Sequence, residues 1–281
     1  MADRTGVVAW LAPGQGMERP GMGRDVAEHW PEAAHLLVLV AAGVSGPRLD
    51  GTDAVQPALT AVALGAAAAL RARGLQPDVV AGHSVGELAA WAVAGGVRPI
   101  EAVRLARVRG EAMREAALGS PGGLWALAPE DVPDPLPAGT CVAVENPGQI
   151  VLAGFFPPGP CAIPVATTGP WHSPAMAAAV PALEAALTAL PVRRLGVPLV
   201  SNHTGKLVTD DATVRAHLVA QLTHPARWTA VLATLADLGV TDVVLLGPGR
   251  VLAHHVRAAL PKARIHRTDR SSAILAVDLG D

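Results

Sequence analysis

The chain has 281 residues, 51% of them hydrophobic, which is enough for one large domain or a large domain carrying a small one. A formal net charge of −2 argues against a nucleic-acid binder or a polybasic membrane protein, and Cys141 and Cys161 do not make a disulfide framework. Asp3, Arg4 and only a brief apolar run open the chain, so no secretory leader is expected and a reduced, cytoplasmic setting is.

Residues 7–11 predict a first strand, followed by the loop Ala12-Pro13-Gly14-Gln15-Gly16. Residues 57–73 predict an apolar helix; its apolar run, 58–70, is too short to span a bilayer. Residues 79–81 predict a buried strand, and 88–94 are rich in helix formers. Pro99 opens another helix to about residue 117, proline being tolerated in a first turn. Strands alternating with helices predict a parallel α/β sheet. From 120 to 174 proline and glycine dominate, with strand-like runs at 123–127, 141–144, 150–153 and 162–166, which points to a small inserted β-rich subdomain. Beyond it, helices are expected at 181–190, 212–222, 228–238 and 251–260, and strands at 195–201 and 240–246.

Strand, tight turn and helix around Gly82-His83-Ser84-Val85-Gly86-Glu87 are the context of a Gly-x-Ser-x-Gly elbow. Gly82 and Gly86 let strand and helix cross closely, and Ser84 then projects from the turn above a helix N-terminus. That predicts acyl transfer through a serine ester. A serine nucleophile needs a base, and ten histidines are available. His83 adjoins Ser84, but adjacent residues on an elbow point apart. His172 lies at the return from the insert, and His254 and His255 follow the last strong strand. Arg104, Arg107 and Arg109 share one helix, and spacing alone does not say which turns inward. Gly14-Gln15-Gly16 could bring a backbone N–H near Ser84 or be an ordinary turn. No phosphate-binding glycine motif and no metal-ligand spacing occurs.

Further segments follow in order: Gly21-Met22-Gly23, Gln56-Pro57-Ala58, Arg109-Gly110 with Met113, Asn146-Pro147-Gly148-Gln149, His172-Ser173-Pro174, Ser201-Asn202, Pro225-Ala226-Arg227-Trp228 and Gly247-Pro248-Gly249. With the elbow and Pro13-Gly14-Gln15-Gly16, this ordered set resembles the malonyl-CoA:acyl carrier protein transacylase family, which includes the acyltransferases of polyketide synthases. The resemblance implies an α/β-hydrolase-like core with a parallel sheet, over 1–119 and 169–281, and an inserted ferredoxin-like subdomain over 120–168. Here 128–139 is proline-rich and 154–160 reads Gly-Phe-Phe-Pro-Pro-Gly-Pro, so both helices of that insert are expected to be lost or shortened.

The resemblance also implies roles. Ser84 would be acylated, with His172 as its base held by a backbone carbonyl. The backbone N–H groups of Gln15 and Val85 would form the oxyanion hole. Arg109 would bind the free carboxylate of a malonyl-type group, and Asn146 and His83 would lie at the cleft. A bulky aromatic before the histidine accompanies malonyl in polyketide relatives, so Trp171 favours malonyl; it could instead pack the subdomain junction or reshape the pocket. The implied enzyme is a free-standing monomer with no bound cofactor. Its substrate is a coenzyme A thioester, and its partner is the phosphopantetheine arm of an acyl carrier protein serving fatty-acid or polyketide synthesis. Neither nucleic acid nor membrane is expected. Alternatives are transfer between two carriers, service to a malonate decarboxylase carrier, a non-malonyl acyl group, a carrier-docking scaffold, and a hydrolase using Asp242 with His254 or His255.

Overall fold

The computed structural model describes residues 6–41 and 51–280, so Asp3 and Arg4 lie outside the described residues. Its strands are β1 (Val7–Ala12), β2 (Val79–Gly82), β3 (Gly123–Leu127), β4 (Cys141–Asn146), β5 (Gln149–Gly154), β6 (Ile163–Pro164), β7 (Leu199–Val200), β8 (Leu207–Val208), β9 (Val240–Leu245) and β10 (Arg264–Arg267). Its helices are α1 (Arg24–His29), α2 (Pro31–Ala41), α3 (Thr52–Ala72), α4 (Gly86–Val93), α5 (Pro99–Gly119), α6 (Val180–Thr188), α7 (Asp211–Ala220), α8 (Trp228–Asp237), α9 (Arg250–Ala259) and α10 (Ser271–Leu275).

A six-stranded sheet runs β10-β9-β1-β2-β7-β8, parallel except for the antiparallel β7–β8 pair. β1 is almost wholly buried and β2 wholly so, as parallel strands covered on both faces must be. Their period of two divides the core. Val8, Trp10 and Val80 pack with α3, α4 and α5, whereas Ala9, Leu11 and Val79 pack with α8 and α9. This is the expected α/β-hydrolase-like arrangement. A second sheet, β4-β5-β3-β6, is antiparallel and lies between α5 and α6 in the chain. Leu124, Ala126 and Val151 turn its inner face to the main core, and Trp125, Leu127 and Leu152 make a small cluster on the other. From Gly123 to Pro164 the only helical element is a 3-10 turn at Pro129–Asp131, so neither helix of a ferredoxin-like insert is present there.

Several elements depart from expectation. α3 starts at Thr52, with Pro57 inside it rather than in its first turn. At 21 residues it is long and apolar enough to cross a membrane, so the length argument against a span does not hold. It is nonetheless a core helix, packed on α2, α4 and α5. The strands expected at 162–166 and 195–201 shorten to two residues each, because each pairs along only two positions of its neighbour. A 3-10 turn at Pro174–Ala179 precedes α6. α1, α2, β8, β10 and α10 were not anticipated from the sequence.

Register sets the site. Ala12 pairs with Gly82, so the loops leaving β1 and β2 start side by side. A methyl on Gly82 would run into the backbone of Gly86 and Glu87, and one on Gly86 would sit 2.5 Å from the Ala12 carbonyl oxygen. Both obstacles are backbone and cannot rotate away. Gly82→Ala is therefore expected to cost about 3 kcal/mol or more. Gly119→Ala, with nothing within 4 Å of the added methyl, is the control. Thermal melts of the two variants check this, and equal melting points would contradict it.

Candidate active site

Ser84 sits between β2 and α4 with φ at 51°, a left-handed conformation that costs a non-glycine residue free energy. The turn holds it there because Gly86 N–H bonds to the His83 carbonyl and Glu87 N–H to the Ser84 carbonyl. Asn202, just past β7, braces the turn from outside. Its side-chain amide donates to the Gly82 carbonyl, and its Oδ1 accepts from the Ser84 N–H at 3.5 Å.

His172 enters from the segment between β6 and α6, also left-handed at φ 57°. Its Nε2 lies 2.7 Å from Ser84 Oγ, and its Nδ1 lies 2.6 Å from the Gln221 backbone carbonyl. A carbonyl oxygen only accepts, so Nδ1 carries the proton and Nε2 presents its lone pair to the serine hydroxyl. Burial, then the Arg109 charge, lower the imidazole to about 3, against the Gln221 bond that raises it. The ring is therefore neutral at neutral pH.

Of the three arginines on α5, Arg109 is the one that turns inward. It is 2% exposed, whereas Arg104 is exposed and Arg107 only half-buried. Gly110 permits this, since a methyl there would sit 2.7 Å from the Thr52 carbonyl oxygen and push α5 off the start of α3. Arg109 Nη1 donates to Gln56 Oε1 at 2.7 Å, and Nη2 to Gln221 Oε1 at 3.3 Å and to Ser84 Oγ at 3.4 Å. Gln56 is set in turn by Thr52, whose hydroxyl donates to Gln15 Oε1 at 2.8 Å. No carboxylate forms a salt bridge with Arg109 among the described residues. Burial lowers the guanidinium to about 10, which leaves it charged.

These groups line one cavity of about 250 Å³ with Gln15, Val85, His83, Asn146 and Trp171. His83 and Ser84 were expected to point apart, yet both reach it. His83 Nε2 is 3.2 Å from Asn146 Oδ1, on the β4–β5 hairpin, and its ring stands edge-on to Trp228. Burial lowers His83 to about 4. Trp171 is 5% exposed and packs against Gly169 while also walling the cavity. All eight residues expected at the site thus lie together.

The hydrolase arrangement does not assemble. Asp242 is taken by His266 and Arg264, each at 2.8 Å, and His254 is exposed. His255 lines the cavity but has no bond to Asp242. Gln221, Glu87, Gln56 and Asn202 were not anticipated as site residues. Glu87, Gln56 and Asn202 stood in recognised segments, whereas nothing marks Gln221, which holds His172 through its main chain.

The acyl transferase domain family matches residues 9–157. The malonyl CoA-acyl carrier protein transacylase of Bacillus subtilis is 31% identical over 89% of this chain and 89% of its own length. The chain belongs to the malonyl CoA-acyl carrier protein transacylase family. It is an acyltransferase of that family, and solved structures of transacylases share its fold. MCAT from Mycobacterium tuberculosis superposes with a TM-score of 0.87 at 30% identity, over 95% of this chain and 98% of that one. A type II polyketide synthase malonyl-transacylase, solved in complex with its acyl-carrier protein, gives 0.83 at 26% identity over 96% and 98%.

The buried imidazole makes a directional prediction. Below pH 6.5 the folded protein holds fewer protons at His172 than the unfolded chain does, so this site's contribution to stability falls as pH drops from there toward about 3. Ring nitrogen NMR should show His172 neutral, protonated on Nδ1 and not titrating between about pH 5 and 8. A midpoint near the free-histidine value would overturn the assignment.

Proposed function

We propose that the chain transfers a malonyl or malonyl-like group from coenzyme A to the phosphopantetheine thiol of an acyl carrier protein, through an ester on Ser84. The observation that carries this reading is Arg109, a buried cation with neutral partners, 3.4 Å from Ser84 Oγ. Glu87 acts on this charge only from a distance, with no salt bridge between them, and an acyl group ending in a carboxylate supplies a direct counter-charge with two charge-assisted hydrogen bonds. The names of the relatives specify malonyl CoA and acyl carrier protein, which agrees. Trp171 walls the cavity, and its bulk leaves less room beside the ester for a substituted acyl group than a smaller side chain would.

In this mechanism His172 Nε2 takes the hydroxyl proton as Ser84 Oγ attacks the thioester carbon. The carbonyl oxygen becomes an oxyanion, received by the backbone N–H groups of Gln15 and Val85, with the N-terminus of α4 beneath. When the carbonyl re-forms, the carbon–sulfur bond breaks and the coenzyme A sulfur leaves with the proton from His172. The carrier thiol then gives its own proton to Nε2 and attacks the ester. Oγ departs and takes that proton back. Arg109 holds the acyl carboxylate throughout, which fixes the carbonyl over Oγ.

Intact-mass measurement after incubation with malonyl-, methylmalonyl- and acetyl-coenzyme A tests this. The wild-type chain should gain one malonyl mass on Ser84, and Ser84→Ala none; an adduct persisting on the variant would refute the nucleophile. Arg109→Ala should slow malonyl loading by about a hundredfold or more relative to acetyl loading. Equal losses on both acyl groups would remove Arg109 from carboxylate recognition.

A further inference from the structure

Glu87 is fully buried one residue into α4, and its carboxylate touches neither the cavity nor Ser84. Its Oε1 accepts from the backbone N–H of Asn202 at 3.1 Å, and its Oε2 accepts from the side-chain amide nitrogen of Gln221. Two buried N–H donors converging on two carboxyl oxygens are what an ionised acid satisfies and a protonated one satisfies only in part. Burial works the other way and pushes the group up to about 7, against the Asn202 bond, a Ser201 hydroxyl bond, the Arg109 charge and the Gln221 bond.

What makes this contact consequential is its partner. Gln221 does three things at once. Its main-chain carbonyl accepts from His172 Nδ1, its side-chain carbonyl accepts from Arg109 Nη2, and its side-chain NH2 donates to Glu87. A glutamine amide has one accepting end and one donating end, of nearly the same shape, and can turn over. Ionised, Glu87 only accepts, so in that form it holds the NH2 and leaves the carbonyl end for the guanidinium. Turned over, the amide would face N–H donors to N–H donors at Arg109 and oxygen to oxygen at Glu87. On its other oxygen Glu87 pins Asn202, whose side chain braces both sides of the serine turn.

The geometry points to Glu87 as a positioning residue that fixes the Gln221 amide, and through it sets both the base His172 and the carboxylate-binding Arg109. This rests on the acyl-transfer reading for the roles of those two residues. Glu87 itself touches no reacting atom.

Glu87→Gln is the direct test, since it keeps the shape but offers Gln221 a group able to present N–H. In a variant shown to be folded by circular dichroism and gel filtration, malonyl loading of Ser84 should fall by about tenfold to a hundredfold, the effect expected of a misplaced catalytic group. The preference for malonyl over acetyl should fall with it, because Arg109 loses its anchor. Gln221→Met leaves the main-chain carbonyl in place and removes the side-chain link, so the double variant should load no more slowly than Gln221→Met alone. Wild-type loading and preference in Glu87→Gln, or losses equal for both acyl groups and additive with Gln221→Met, would overturn the inference. If Glu87→Gln does not fold, Glu87→Asp, which keeps the charge and withdraws it by one methylene, is read by the same criteria. The His172 Nδ1–H resonance gives a readout independent of turnover. It should move in Glu87→Gln, and an unmoved signal would overturn the inference even if the wild-type chain formed no ester. Absence of a wild-type ester would by itself count only against the acyl-transfer reading.

Discussion

The crossing of backbone at the end of β2 is the constraint from which the remaining geometry follows. Gly82 and Gly86 bring β2, α4 and the end of β1 within backbone contact, closer than any side chain there would allow. That closeness throws Ser84 into a left-handed turn and aims the start of α4 beneath it. It also carries Glu87, the next residue of the helix, down beneath the site rather than into the cleft. The loops after β1, β2 and β9 all open at the carboxyl ends of parallel strands, the usual place for a ligand in such sheets. The antiparallel hairpin of β4 and β5 closes the opposite side with Asn146 and Gln149.

The electrostatics of this closed site rest on what holds the histidine. A carbonyl fixes the ring tautomer without adding negative charge. A carboxylate at that point would lie beside Arg109, since Gln221 reaches both groups, and would compete with any acyl carboxylate for it. The fold instead keeps a nearby acid, Glu87, on the far side of the Gln221 side chain. The guanidinium is thus oriented and partly balanced while its face toward Ser84 stays open to a ligand. Burial has opposite effects on the charged groups here, lowering His172, His83 and Arg109 and raising Glu87. In each case it disfavours the ionised form, as a poorly hydrated interior does.

Much of this was legible in the chain. The buried run Val79-Val80-Ala81 before a glycine-flanked serine and an Ala-rich segment reads directly as strand, elbow and helix. Spacing alone left Arg109 ambiguous among three arginines and only the resemblance singled it out; the packing that turns it inward rests on Gly110, whose missing side chain faces α3. Pro57 misled about where α3 begins, because proline marks a first turn only as a tendency. Gln221 was not readable at all. It acts through a main-chain carbonyl that every residue possesses, and its side-chain partner lies 134 residues away. For a related reason the short strands β6 and β7 are shorter than the runs that predicted them and β8 escaped, since their length is set by the neighbour they pair with, not by their own residues.

The bond between His172 and a neutral carbonyl bears on the direction of the proposed reaction. An imidazolium formed there has no anion against it and a guanidinium nearby, so it is a short-lived state from either side. The proton is returned promptly to whichever sulfur or oxygen is departing. Nothing in the arrangement distinguishes the first thiol from the second, and one thioester is exchanged for another of similar energy. Such a site works as a two-way valve: net flow follows the relative abundance of loaded and unloaded thiols on its two sides, and the protein sets only how fast that balance is reached.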